Sequence, residues 1–242
     1  MKKKFLTKNE ARNAVWDTLQ NEKVASFPFP PKGRIPNFKG SSEAAKRLLE
    51  ISPWKEAKFI KINPDSPQRL VRELCLKMGK ILIVPTPRLK GGFQKINPLR
   101  IPKNKFKEAA TVSKGNFWSE EISLKKIPSV DAIVTGSVAV TKTGKRLGKG
   151  EGYSDLELAI LIELGHPMVP IGTTIHPYQI LEDFPSDSHD LSLSTIISPD
   201  ATIQIENPSK NKIKIEWKKI DTKKLSEMPI LRELQKLKNI NI

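Results

Sequence analysis

The run Lys80-Ile81-Leu82-Ile83-Val84-Pro85 is apolar at four consecutive positions, so neither face of it can be given to water. A strand with one wet face alternates. A continuous β-branched run is buried on both faces, which is the condition of a strand inside a largely parallel sheet covered by helices. Ala132-Ile133-Val134, Val138-Ala139-Val140, Met168-Val169-Pro170-Ile171 and Thr195-Ile196-Ile197 carry the same kind of signal, and Phe59-Ile60-Lys61-Ile62 reads as a shorter strand. Helical patterns lie between them. Lys8 to Glu22 sets Ala11, Ala14, Val15, Trp16 and Leu19 near helical spacing. A second helix is expected from Ser41-Ser42 to about Ile51, and a third from Gln68 to Met78, opened by Ser66-Pro67 and stopped by Gly79. Leu156 to Leu164 is apolar almost all round, which predicts a buried helix. A last helix is expected from Ser226 or Pro229 to Leu237. Strands alternating with helices predict an α/β fold with a mostly parallel sheet.

Three segments fall outside that alternation. Phe27-Pro28-Phe29-Pro30-Pro31-Lys32-Gly33 cannot form regular structure, because proline removes donors and glycine adds freedom. Lys90 to Pro128 has weak periodicity and reads as a long excursion from the sheet. Ile203 to Glu206 and Lys212 to Trp217 alternate with period two around Asn207 to Asn211, which predicts a C-terminal β-hairpin. The expected division is an α/β domain over 1–200, with the hairpin and a basic helix of 201–242 packed on it.

Composition narrows the chemistry. A single cysteine, Cys75, excludes a disulfide framework and a Cys-rich zinc site, and it falls on the apolar side of a helix as a core residue. Three histidines (His166, His176, His189) are too few and scattered for a His-rich metal centre. No apolar run reaches the roughly 18 residues that span a bilayer, and no apolar stretch follows the basic start, so the expectation is a cytoplasmic protein without a membrane role. The formal charge of +16 calls for anionic partners. Ten Lys/Arg against four Asp/Glu from Asn207 onward account for much of the excess. Nucleic acid is one such partner, but the aromatic pattern of an RNA-binding module is absent from the sequence. Nothing in the sequence sets an oligomeric state.

The stretch with most chemical content is Thr143-Gly-Lys-Arg-Leu-Gly-Lys-Gly-Glu-Gly-Tyr-Ser-Asp155, between a strand and the buried helix. Glycines at 144, 148, 150 and 152 let main-chain amides turn toward a ligand, Lys145, Arg146 and Lys149 add positive charge, and the helix start favours an anion. The spacing is neither that of a Walker A loop nor that of a dinucleotide fingerprint. The physical reading is a phosphate cradle; the bland alternative is a basic turn. Asp155 at the first turn either caps the helix or holds Mg²⁺ beside phosphates, and Asp183, Asp187 and Asp190 are candidate second carboxylates. Lys8 and Arg12, four apart, share a helix face and can clamp an anion or simply face water. Arg88 and Lys90, beside Gly91-Gly92, are candidates for an anionic substrate.

With those residues in view, Asp131-Ala-Ile-Val-Thr-Gly-Ser-Val-Ala-Val followed by Gly144 to Asp155 resembles the signature of the 5-formyltetrahydrofolate cyclo-ligase family. Pro170-Ile-Gly-Thr-Thr-Ile, Gln179 and Pro185-Ser-Asp-Ser-His-Asp190 are similar to its later blocks. Gly33 to Gly40 and Pro85 to Lys90 look like a divergent branch, the methenyltetrahydrofolate synthetase domain-containing proteins. The resemblance implies a three-layer Rossmann-like α/β fold and an enzyme that uses Mg²⁺ and ATP to turn 5-formyltetrahydrofolate into 5,10-methenyltetrahydrofolate. It implies Lys8, Arg12, Arg146, Gly148, Lys149, Gly150 and Gly152 at ATP, Asp155 and Asp190 at Mg²⁺, and Asp65, Arg88 and Tyr153 at a reduced folate or analogue, with Arg146 and Tyr153 in catalytic positions. Ser154 stands where the family usually has a second tyrosine, and Ser194 where it often has an acid, so the folate half is altered. The alternatives are an ATP-using enzyme with another, thiamin-related substrate, and a non-catalytic basic module that binds nucleotide or RNA.

Overall fold

The structure is a computed structural model and describes residues 4–209, 211, 213–220 and 222–239. In chain order its elements are α1 (Lys8–Asn21), β1 (Ala25–Ser26), β2 (Asn37–Phe38), α2 (Ser41–Leu49), β3 (Phe59–Ile62), α3 (Arg69–Lys77), β4 (Ile81–Pro85), β5 (Phe93–Ile96), α4 (Phe106–Ala109) and α5 (Val112–Gly115). There follow β6 (Ser119–Ile122), β7 (Ala132–Thr135), β8 (Ala139–Thr141), β9 (Arg146–Leu147), α6 (Tyr153–Glu163), β10 (Ile171–Thr174), β11 (Ile180–Leu181), β12 (Thr195–Ile197), β13 (Thr202–Gln204), α7 (Thr222–Glu227) and α8 (Pro229–Lys238). The central sheet runs in the order β13-β12-β10-β7-β3-β4-β5-β6. Its middle five strands, β12 to β4, are parallel, and the outer pairings are antiparallel.

The pleat sorts the apolar strands into two cores. Ile83 and Ile133 point to one face, where they meet Leu158 and Leu161 of α6 and Leu231 and Leu234 of α8. Their neighbours Leu82, Val84, Ala132 and Val134 point to the other, against Leu48 of α2 and Val71 and Leu76 of α3. A run apolar at every position is thus required by the helices on both sides. Cys75 is fully buried in the second core, and burial pushes its thiol up to about 12, outside the range of a reactive thiolate. A third cluster joins Ala11, Val15, Trp16 and Leu19 of α1 to Val138, Ala139 and Leu147. These last lie in or beside a separate three-stranded sheet, β11-β8-β9, so Val138-Ala139-Val140 is not a strand of the central sheet.

Other expectations are corrected. The Lys90 to Pro128 segment is no excursion: β5 and β6 extend the sheet antiparallel from β4. The hairpin partner of Ile203 is Ile196 of β12, not the segment after Asn211, and the described residues of 211–216 form no strand. The turn is made by Ser198, whose side chain accepts from Ala201 N at 3.0 Å and donates to Asp200 at 2.6 Å. Met168 to Pro170 precede β10, because Pro170 cannot donate to a central ladder. At the C-terminus Ile230, Leu231 and Leu234 are buried with Leu89 and Phe93.

Gly172 in β10 lets the Trp54 indole lie flat on the sheet, since a Cβ there would meet Trp54 Cζ2 at 2.7 Å. Gly172→Ala is expected to cost about 1–3 kcal/mol by overpacking, measurable as a lower urea midpoint with an unchanged slope.

Candidate active site

After β3 and β4 the chain returns to the other side of β3 to form β7, so the sheet reverses its winding between β3 and β7. Ligands of open α/β sheets gather at the carboxyl ends of strands at such a point. A cleft of about 460 Å³ opens there. It is lined by Asn63 to Ser66 after β3, Thr86 to Arg88 after β4, Arg146 of β9, the loop after it, and the first turns of α6. Pro28 and Gly33 to Ile35, from the irregular segment after α1, form another wall.

The glycine-rich stretch is divided by structure. Gly144 belongs to the β8–β9 turn, where its amide bonds Thr141 O at 3.0 Å, and Lys145 pairs with Asp183 at 2.6 Å. Neither contributes to a cradle. The loop that faces the cleft is 148–152, ending on Gly152 in the left-handed region, with no side chain capping α6. The guanidinium of Arg146 lies under Gly148, within 3.0 Å of where a Cβ would stand, and that of Arg12 lies beside Gly150 at 3.4 Å. Arg12 Nε donates to Gly148 O at 2.8 Å. Arg146 is buried; its Nε and Nη2 donate to Gly136 O at 2.9 and 2.6 Å, and Nη2 reaches Ser154 Oγ at 3.2 Å. Burial lowers the pKa of Arg12, Asp190 opposes that and neighbouring Arg146 adds to it. The group stays cationic at neutral pH all the same. Two guanidinia, Lys149 and a helix N-terminus therefore face one loop, a setting for phosphate oxygens.

Asp155 meets the main chain that follows Asp190. Asp155 Oδ1 accepts from Leu191 N at 2.9 Å, next in chain to Asp190, and Arg146 Nη1 lies 3.9 Å from Asp155 Oδ2. Lys8 Nζ bridges Asp187 at 2.7 Å and Asp190 at 2.6 Å. Burial works against the Lys8 ammonium, but the two carboxylates outweigh it and raise its pKa. Donor atoms of Asp187, His189 and Asp190 lie within 4.8 Å of one another. Asp155 is not part of that cluster; the cluster's two carboxylates, Asp187 and Asp190, are hard oxygen donors of the kind that suit Mg²⁺.

The same cleft is also lined by Asp65, Arg88 and Tyr153. Arg88 and Leu89 both have positive φ, 56° and 54°, and the fully buried Leu89 anchors the strained turn that presents Arg88. Half-buried Asp65 is packed against the Gly136 position, where its Oδ2 would lie 2.9 Å from a Cβ. Loss of hydration raises its pKa, and Lys149, Arg146, Arg72 and Lys61 pull it back only in part. The folded state then binds the Asp65 proton more tightly than the unfolded chain. Stability is lost as pH rises from the ordinary value of 3.8 through the raised one. Asp65→Asn is expected to raise Tm at pH 7, with the gain fading as pH falls toward 4, followed by calorimetry.

Of the proposed site positions, Asp65, Arg88, Arg146, Gly148, Lys149, Gly152, Tyr153 and Asp155 line the cleft, whereas Lys8, Arg12, Gly150 and Asp190 are not among its lining residues. Sequence reasoning missed Arg34, Asn63, Lys61 and Glu157. Lys61 in β3 and Glu157 in α6 are 2 and 3% exposed and form an ion pair with each other. Asn63 Nδ2 donates to the same Glu157 oxygen at 3.0 Å. Burial raises the Glu157 pKa and Lys61 opposes the shift. The signal was one cation in an apolar strand and an acid, Glu157, flanked by leucines in a mostly apolar helix.

Fold and cleft define an α/β protein with a cation-lined cleft at the carboxyl edge of a parallel sheet. The chain belongs to the 5-formyltetrahydrofolate cyclo-ligase family, whose profile matches residues 7–199. It is 38% identical over 237 residues to a mouse methenyltetrahydrofolate synthase domain-containing protein, covering 95% of this chain and 63% of that one. A zebrafish protein of the same name is 36% identical over 241 residues, covering 96% and 62%. The chain therefore spans a little under two thirds of these relatives. Among solved structures it is similar to 5,10-methenyltetrahydrofolate synthetase of Aquifex aeolicus, with a TM-score of 0.54 at 18% identity over 84% of this chain and 95% of that one, a likeness of fold. Among the described residues no helix is long and apolar enough to cross a membrane.

Proposed function

We propose that the chain is an ATP- and Mg²⁺-dependent cyclo-ligase that converts 5-formyltetrahydrofolate to 5,10-methenyltetrahydrofolate, with release of ADP and phosphate. The observation that supports this most is that one cleft is lined both by Arg146, Lys149 and the 148–152 loop, with Arg12 against that loop, and by Asp65, Arg88 and Tyr153. In this reading the loop amides and guanidinia hold the triphosphate and stabilise charge as the γ-phosphoryl group passes to the formyl oxygen. N10 then closes on the activated carbon, and phosphate departs with that oxygen. Asp155 and Asp190 would hold Mg²⁺, which when bound neutralises phosphate charge. Lys8, now bridging Asp187 and Asp190, is placed to turn to a phosphate oxygen. Tyr153 and Arg88 orient the folate, Arg88 by pairing with its carboxylates. Residues 1–200 form the catalytic domain in this reading, 201–242 pack on it, and the enzyme works in the cytoplasm.

The test is incubation with Mg²⁺, ATP and 5-formyltetrahydrofolate while following methenyl absorbance. Product formation with stoichiometric ADP supports the proposal. Nucleotide binding without any methenyl product at high enzyme concentration points to a different substrate, and RNA binding without nucleotide binding to a non-catalytic module.

A further inference from the structure

Glu157 presents a carboxylate that the fold does not use up. It is 3% exposed and lines the cleft. Both of its side-chain partners, Lys61 Nζ and Asn63 Nδ2, donate to the same oxygen, Oε2. Oε1 takes no hydrogen bond from a described residue. An ionised carboxylate has room for about four donors, so Glu157 keeps unused capacity toward a ligand in the cleft it lines. Core stability alone does not require the pair, because an apolar pair of similar volume serves a core as well as a buried Lys–Glu.

Two further observations point the same way. The Asp65 carboxyl lines the same cleft and accepts no hydrogen bond from a described residue; only its main-chain oxygen does, from Gln68 N and Arg72. Fully buried Gln68 leaves Oε1 unpartnered beside the Gly136 position that Asp65 also faces. The cleft therefore holds acceptors with unused capacity at Glu157 and Asp65, beside the cations Arg146 and Lys149, and apolar surface at Pro28, Ile35, Pro87 and Val112. A flat ring with apolar faces and several N–H groups on one edge meets both demands.

We infer that Glu157, held by Lys61 and Asn63, is a specificity-determining residue whose free oxygen accepts from the N–H edge of an aminopyrimidine-type ring, with Asp65 taking an adjacent donor. The inference deepens the cyclo-ligase reading and rests on it for the placement of substrate in the cleft. Lys61 and Asn63 act through Glu157 as positioning residues.

The experiment compares pterin, which carries a 2-amino group, with lumazine, which carries an oxygen there, by calorimetry on the full chain. Wild type is expected to bind pterin at least tenfold more tightly. Glu157→Gln is expected to weaken pterin at least tenfold and shrink the preference to within twofold, while affinity for ATP stays within twofold. If Glu157→Gln does not fold, the wild-type preference and its loss in Asp65→Asn decide the matter. Equal binding of the two pteridines, binding of neither, or a preference that survives Glu157→Gln overturns the inference. A preference that behaves as expected in a chain that forms no methenyl product leaves the inference standing and removes the cyclo-ligase reading; turnover without a preference does the reverse.

Discussion

Arg146→Ala is expected to lower kcat/KM for ATP-driven turnover by about 10²–10³-fold, the usual loss for a preorganised charge-stabilising donor. The guanidinium is almost fully buried, fixed by two hydrogen bonds to Gly136 O, and lies directly under the glycine loop. Arg146→Lys should recover little, because a single ammonium cannot hold Gly136 O and face a phosphate together. Stability should fall by only about 1–3 kcal/mol, the cost of one unpaired carbonyl, so a folded but inactive variant is the expected outcome. Lys149→Ala should lose activity in the same direction, whereas Lys236→Ala, on the exposed side of α8, should not. Steady-state kinetics on the four variants checks the ranking, and equal losses from Lys236→Ala would sink it.

Lys61→Ala should have the largest effect on stability. It removes one partner of a buried ion pair and leaves Glu157 charged in a site 3% exposed. Breaking such a pair costs about 3–5 kcal/mol, which in a chain of this size lowers Tm by roughly 6–20 °C. The double variant Lys61→Met with Glu157→Leu should recover most of the loss, since no unpaired charge remains. Thermal melts of both proteins measure it, and a double variant as unstable as the single would contradict the assignment.

The parallel sheet was legible because its strands must be buried on both faces, and uninterrupted apolar runs such as 80–85 have no other use. The glycine-rich loop was legible from residue types alone. The Arg146-Leu147 strand inside it was not, since two residues carry no periodicity; only the pairing with Ala139 and Val140 defines it. The edge strands β5 and β6 were hidden for a related reason. Half-exposed Gln94, Lys95, Glu120 and Glu121 give an edge no continuous apolar pattern, and Lys95 pairs with Glu120 across it. The C-terminal hairpin was misassigned because alternation shows that a segment is a strand without showing its partner. Lys61 and Glu157 were passed over because each lies among apolar residues in a different element, and only the fold brings them together.

The most direct test of the account is a crystal structure with Mg²⁺ and a non-hydrolysable ATP analogue. The expected result is a triphosphate against the amides of residues 148–152, within hydrogen-bond reach of Arg12 and Arg146, and a cation on Asp155 and Asp190. Nucleotide bound elsewhere on the chain, or a 148–152 loop left without phosphate at saturating nucleotide, would contradict it.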